Sequence, residues 1–220
     1  MKLKYLTASV LALSCMSALA QETAELRVTG KILPKACVPS FTGGGVVDYG
    51  NIGAGTLSDT DFTVLYEEAI GFTLDCGTVA TTAGVQFVDN KLSAGYPVGI
   101  PAALGINETA IYAFARSDGE QVGAYGLMSD DTLSADGDPV VHIGKHGDAG
   151  TWGGNPSRRF GRADQNRFHA FAAPGSVVPK AFNVLTGNIV VKAALNNKTA
   201  LNVGSRVVIE GSATMRVAYY

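Results

Sequence analysis

The sequence predicts an all-β fold, an antiparallel β-sandwich, on three observations. Apolar and polar residues alternate with period two in several short segments, as half-buried strands require. Gly, Asn, Asp and Pro separate those segments, and glycine alone supplies 27 of the 220 residues. No amphipathic pattern long enough for a multi-turn helix interrupts them.

The chain opens on a stretch that reads as a secretory signal peptide, residues 1–20. Lys2 and Lys4 form a basic start, Tyr5 to Leu19 is mostly apolar, and Ala18-Leu19-Ala20 places small residues where a signal peptidase reads. The apolar run is too short, and wrongly flanked, for a membrane-spanning helix. Cleavage after Ala20 makes Gln21 the first residue of the exported chain. The competing reading lipidates Cys15, within Leu13-Ser14-Cys15, although Ala12 stands where a lipoprotein signal prefers Leu.

Of 17 basic residues, Lys2 and Lys4 leave with the leader, so 15 face 19 acidic residues, a formal net charge of −4. That balance argues against nucleic acid, which calls for a basic face, and against a polybasic membrane patch. No later apolar run is long enough to span a bilayer, so the mature chain is expected not to be membrane-embedded. Its length suffices for one sizeable core. With Cys15 removed, Cys37 and Cys76 remain, and an even pair in an exported protein reads as a disulfide, the alternative being two free thiols.

Each strand follows from its alternation. Residues 21–34 form an N-terminal extension in which Ala24, Leu26, Val28, Gly30 and Ile32 alternate with Thr23, Glu25, Arg27, Thr29 and Lys31. Short helical turns are expected near Asp59–Glu68. Ile70, Phe72, Leu74 and Cys76 then alternate with Gly71, Thr73 and Asp75, and Val85 and Phe87 repeat the rhythm. Ile189, Val191, Ala193 and Leu195 form another line. The longest is C-terminal, where Val207, Ile209, Gly211, Ala213, Met215, Val217 and Tyr219 share one face. Residues 35–220 are expected to form one domain. Around 116–167, richer in Gly, Asp and Arg, polar hairpins and long loops are expected to be inserted into it.

Residues of catalytic type are few. His142 and His146 are four apart, a ligand spacing on a helix, but Val140-Val141-His142-Ile143-Gly144-Lys145-His146-Gly147-Asp148 reads as strand and turn. His169 stands alone. Asp130, Asp131, Asp136 and Asp138 lack the spacing and terminal Glu of a calcium loop and read as a solvated turn. Gly43-Gly44-Gly45 and Trp152-Gly153-Gly154 lack the Lys-Ser/Thr of a phosphate loop, and no Gly-x-Ser-x-Gly elbow is present. Trp152, Arg158, Arg159, Phe160 and Arg162 read as residues that pack and solvate the inserted hairpins, or as a carbohydrate- or receptor-binding surface. The expectation is therefore no enzyme, no catalytic residue, no cofactor and no metal.

Gly30-Lys31-Ile32-Leu33-Pro34-Lys35-Ala36-Cys37 resembles the N-terminal extension and first strand of chaperone–usher fimbrial (pilus) subunits, in which a glycine falls seven residues before the first cysteine. Alternating apolar residues lead into it, the second cysteine closes an alternating strand, and a tyrosine stands next to last in Met215-Arg216-Val217-Ala218-Tyr219-Tyr220. Val47-Asp48-Tyr49-Gly50-Asn51-Ile52 and Asp89-Asn90-Lys91 resemble the β-fimbrial branch. The resemblance spans the mature chain and is weakest over 116–167.

It implies an incomplete immunoglobulin-like sandwich (the pilin fold) completed by a donor strand. Ala24, Leu26, Val28, Gly30 and Ile32 would form that donor face. Val207, Ile209, Gly211, Ala213, Met215, Val217 and Tyr219 would form the C-terminal strand of the acceptor groove. The implied partners are a periplasmic chaperone, an outer-membrane usher and neighbouring fimbrial subunits, and the implied location is the cell surface. The alternative is a stand-alone secreted β-sandwich that binds a glycan or protein.

Overall fold

The computed structural model describes residues 25–30 and 36–220. The expected signal peptide with Cys15, and Ala24 and Ile32 of the N-terminal segment, lie outside the described residues. The chain divides into Met1–Leu33 and Pro34–Tyr220. In the first unit, residues 25–30 have no regular secondary structure, and Leu26 and Val28 are both 88% exposed.

The second unit is all-β. Its strands in chain order are β1 (Val38–Phe41), β2 (Thr63–Val64), β3 (Glu68–Asp75), β4 (Ala83–Asp89), β5 (Ile111–Ala113), β6 (Arg116–Ser117) and β7 (Glu120–Gln121). There follow β8 (Gly123–Ser129), β9 (Ser134–Ala135), β10 (Asp138–Pro139), β11 (Val141–His146), β12 (Gly153–Gly154), β13 (Arg167–Ala172), β14 (Val184–Leu195) and β15 (Ala213–Tyr219). Two short helices, α1 (Ile100–Leu104) and α2 (Lys198–Leu201), lie between strands.

Every ladder between these strands is antiparallel. One sheet runs β1–β3–β14–β8–β5, with β2 and β9 on β14 and β10 on β9; the other runs β12–β11–β13–β4–β15; β6 and β7 form a separate hairpin. The sheets share one apolar core. Phe72, Leu74, Leu185 and Ile189 enter it from the larger sheet and Val85, Phe87, Phe171 and Met215 from the smaller. Phe72 and Phe171 meet across it with ring centroids 6.4 Å apart. Full burial of each such side chain contributes about 1.5–3 kcal/mol.

The alternations produce these faces as expected. In β3, Phe72 and Leu74 are buried while Asp75 is exposed; in β14, Ile189, Val191, Ala193 and Leu195 all point inward. Cys37 and Cys76 form the expected disulfide. It joins the start of β1 to the end of β3, beside the paired Val38 and Asp75.

Three expectations need correction. Asp59–Glu68 holds no helix; bends there lead into β2, and the helices lie elsewhere. The segment 116–167 is more than inserted hairpins, because β8 is a central strand of the larger sheet and β11 pairs with β13 along its whole length. Strand β8 showed no period two because it is buried on both faces. Tyr125 and Leu127 face the shared core, whereas Ala124 packs under Ile100, Leu104 and Ile106 in and just after α1. The C-terminal strand, read from Val207, is regular only from Ala213 onward. Gly211 forms an isolated bridge to Phe114, and a Cβ there would lie 2.7 Å from the Tyr125 ring, so the backbone passes tightly over two aromatic rings. Before that point the chain leaves β4 and runs past Ala115, whose N–H donates to Glu210 O at 2.8 Å.

Candidate functional site: an open edge over an apolar cleft

β15 is the last strand of its sheet. Its inner side pairs with β4 from Ala213↔Asp89 to Tyr219↔Ala83, and among the described residues no strand pairs with its outer side. The corresponding edge of the larger sheet is β1, which among the described residues pairs with β3 alone. The two edges are joined at one end by Tyr219, whose hydroxyl accepts the Cys37 N–H at 2.7 Å.

Between these edges lies a cleft of about 630 Å³. Val207, Ile209, Gly211 and Ala213 line one wall, and Phe41, Val47 and Ile52 line the opposite one. Its floor is core, including Phe114, Tyr125, Leu127 and Ile189. Four of the seven residues assigned to the C-terminal groove strand therefore line the cleft. Met215 is instead buried in the core, Val217 packs against it, and Tyr219 binds Cys37.

The backbone of the walls is sparsely bonded. Among the described residues, 46–52 form no backbone–backbone hydrogen bond to another segment; Gly50 N–H donates to the Asp48 carboxylate at 2.8 Å. On the other wall Val208 N–H donates to Ser117 Oγ at 3.3 Å and Glu210 O accepts from Ala115, while Val207 and Ile209 have no backbone partner among the described residues. Unpaired backbone groups beside exposed apolar surface are a template for another strand. Tyr49 reaches inward and donates to Val191 O at 3.3 Å; burial, reinforced by Glu68, Tyr66 and Glu67, raises its hydroxyl to about 12. Among the described residues the lining carries charge only at Asp48 and Arg206, and apolar side chains alternate there with exposed backbone groups.

The other singled-out residues serve elsewhere. His142 is buried and His146 exposed, so this pair forms no ligand set. His142 Nε2 instead lies 2.9 Å from His169 Nδ1, a buried pair the sequence did not signal because its members are 27 residues apart. Among the described residues no cluster of three His, Cys, Asp or Glu side chains could hold a metal. Asp136 caps a turn by accepting from Asn183 and Val184 N–H, and Asp130 does so from Thr132. Phe160 and Arg162 are buried, Arg162 donating to Glu108 O and Ile111 O, and Arg158 pairs with Asp131. Of Trp152, Arg158, Arg159, Phe160 and Arg162, only Trp152 and Arg159 line a common cleft. No helix among the described residues is long and apolar enough to cross a membrane.

A family profile described as "Protein of unknown function (DUF1120)" matches residues 26–127, from Leu26 in the N-terminal segment into β8. Protein GltF of Escherichia coli (strain K12) is 24% identical over 247 aligned residues, covering 96% of this chain and 93% of that protein. Uncharacterized protein YhcF of the same strain is 23% identical over 224, covering 93% of each. The chain is thus similar, over nearly its whole length, to these two E. coli proteins, and its residues 26–127 resemble that family's profile.

Proposed function

We propose that this chain is a structural, non-catalytic subunit of a surface fimbrium that supports cell adhesion. A periplasmic chaperone would carry it, and an outer-membrane usher would polymerise it by donor-strand exchange. The observation that carries the reading is the unpaired outer side of β15 beside an apolar cleft, with a sparsely bonded backbone on the facing wall. Strand order supports it. β1–β3–β14–β8 follows the A–B–E–D order of an immunoglobulin-type sandwich and β15–β4 its F–C pair, while the position beyond F, the place of strand G, has no strand among the described residues.

The occupant would be the N-terminal segment of the next subunit. Strand addition takes affinity from main-chain hydrogen bonds and specificity from alternate side chains in pockets. Leu26, Val28 and Ile32 would together contribute about 5–9 kcal/mol on full burial. Gly30 suits a shallow point such as the tight passage at Gly211.

The test is thermal melting of a chain beginning at Lys35, with and without a peptide spanning Gln21 to Leu33. The reading expects an unstable or aggregating domain that the peptide rescues, and no rescue by a peptide with Leu26→Asp and Val28→Asp. A stable monomer indifferent to the peptide would overturn it in favour of a self-contained binding module.

A further inference from the structure

A second cleft, about 330 Å³, lies by β11 and β12, at the edge of the smaller sheet opposite β15. Lys145, His146, Arg159 and Arg167 line it, and no carboxylate does. That is unusual for this chain, in which acidic residues outnumber basic ones. Elsewhere Lys91, Arg158, Arg162, Lys180, Lys192 and Lys198 each meet a carboxylate, while Arg116, Arg206 and Arg216 meet none among the described residues but do not line this cleft. Lys145, Arg159 and Arg167 meet none among the described residues. Lys145 Nζ is held by neutral groups, donating to Asp148 O at 2.7 Å and lying 5.1 Å from the centre of the Trp152 ring. Arg159 donates to Gly105 O through one terminal nitrogen, while its Nε is buried with no acceptor among the described residues. A buried guanidinium N–H without an acceptor is costly unless a ligand supplies one. The Arg167 guanidinium likewise enters no hydrogen bond or ion pair among the described residues.

Three cations around a small cleft, none facing a carboxylate among the described residues, suit an anion, and planar guanidinium groups match carboxylate or sulfate oxygens in pairs. The remaining lining suits a sugar. Trp152 lines the cleft with the part of its ring left open by Lys145 Nζ, 5.1 Å from the ring centre, and by Tyr220, edge-on at 4.8 Å, and that part can meet the apolar C–H face of a pyranose. Asn107, Thr109 and Thr151 have no side-chain hydrogen-bond partner among the described residues, leaving them for hydroxyls. The volume is at the lower end of small-molecule pockets. We propose that this cleft binds an acidic saccharide residue, a sugar carrying a carboxylate or sulfate, with Arg159 and Arg167 as its anion ligands. The site does not depend on the fimbrial reading, because it uses neither β15 nor the larger cleft.

Trp152 is the single tryptophan of the chain and reports directly. The intact chain is titrated with glucuronate, glucose 6-sulfate, glucose and inorganic sulfate, following Trp152 fluorescence and, independently, heat. The expected result is saturable binding of both acidic sugars, each at least about tenfold tighter than glucose or inorganic sulfate. Arg167→Gln should weaken acidic-sugar binding about tenfold or more with an unchanged melting temperature. Trp152→Leu, followed by heat, should weaken the acidic sugars while leaving sulfate unaffected. Equal binding of sulfate and the acidic sugars overturns the saccharide assignment. Absence of acidic-sugar binding, or an Arg167→Gln chain that binds as before, overturns the site.

Discussion

His142 and His169 form a buried chain of hydrogen bonds, and one proton order follows from its end at Gly161 O. Gly161 O only accepts, so His169 Nε2, 3.1 Å away, carries its proton and His169 Nδ1 must accept. His142 Nε2–H donates to that Nδ1 at 2.9 Å, and the Ser129 hydroxyl donates to His142 Nδ1 at 3.0 Å. His142 also has longer neighbours, Arg158 O 3.2 Å from Nδ1 and Asn155 Nδ2 3.3 Å from Nε2. A further proton on His169 would sit on Nδ1, facing the His142 N–H. Burial, the leading cause, lowers His169 to about 4 and holds His142 well below the usual histidine range.

The unfolded chain titrates these groups near about 6.5. Because the folded values are depressed, the unfolded state binds more protons as pH falls. The stability they contribute is complete above about pH 6.5 and declines toward pH 4. At pH 5 His169 alone should cost about 2 kcal/mol relative to pH 8, with His142 acting in the same sense. Asp89, raised by burial, opposes this toward the acid end. Denaturant unfolding of the intact chain at pH 8, 6.5 and 5 measures the loss. His169→Gln should be less stable at pH 8 but lose about 2 kcal/mol less on acidification. A wild-type unfolding free energy constant over this range, or the same pH slope in His169→Gln, would refute the reasoning.

Gly211→Val should destabilise by about 1–3 kcal/mol, read by melting, because its side chain would press on the Tyr125 and Phe114 rings. Replacing Cys37 and Cys76 together with Ala should cost about 4 kcal/mol in denaturant unfolding, the chain-entropy value for a closed loop of about 40 residues. Tyr219→Phe removes the acceptor of the Cys37 N–H and should cost about 1 kcal/mol, again by denaturant unfolding.

What could be read in advance depended on which residues face solvent. Strands β3 and β14 show a clean alternation because long stretches of their outer faces are wet, so Asp75 and Thr73 mark the register of Phe72 and Leu74. The same rule hid β8, covered by the core on one side and by the α1 region on the other, which removes the polar beat. The four-residue spacing of His142 and His146 pointed to a pair that the strand does not bring together, since packing turned His142 inward toward His169 and left His146 in water.

The all-β class, the cysteine pair and the inward residues of the half-exposed strands were legible in the chain, because they follow from local periodicity and from parity of a residue type. The sequence also marked Val207, Ile209, Gly211 and Ala213 as one face. Packing of the sheets made β15 an edge among the described residues, set residues 46–52 as the wall opposite it, and left Lys145, Arg159 and Arg167 without a carboxylate partner among the described residues. Edges, walls and missing counter-charges are relations between segments far apart in the chain. No local pattern encodes them, and they exist only once the sheets have packed.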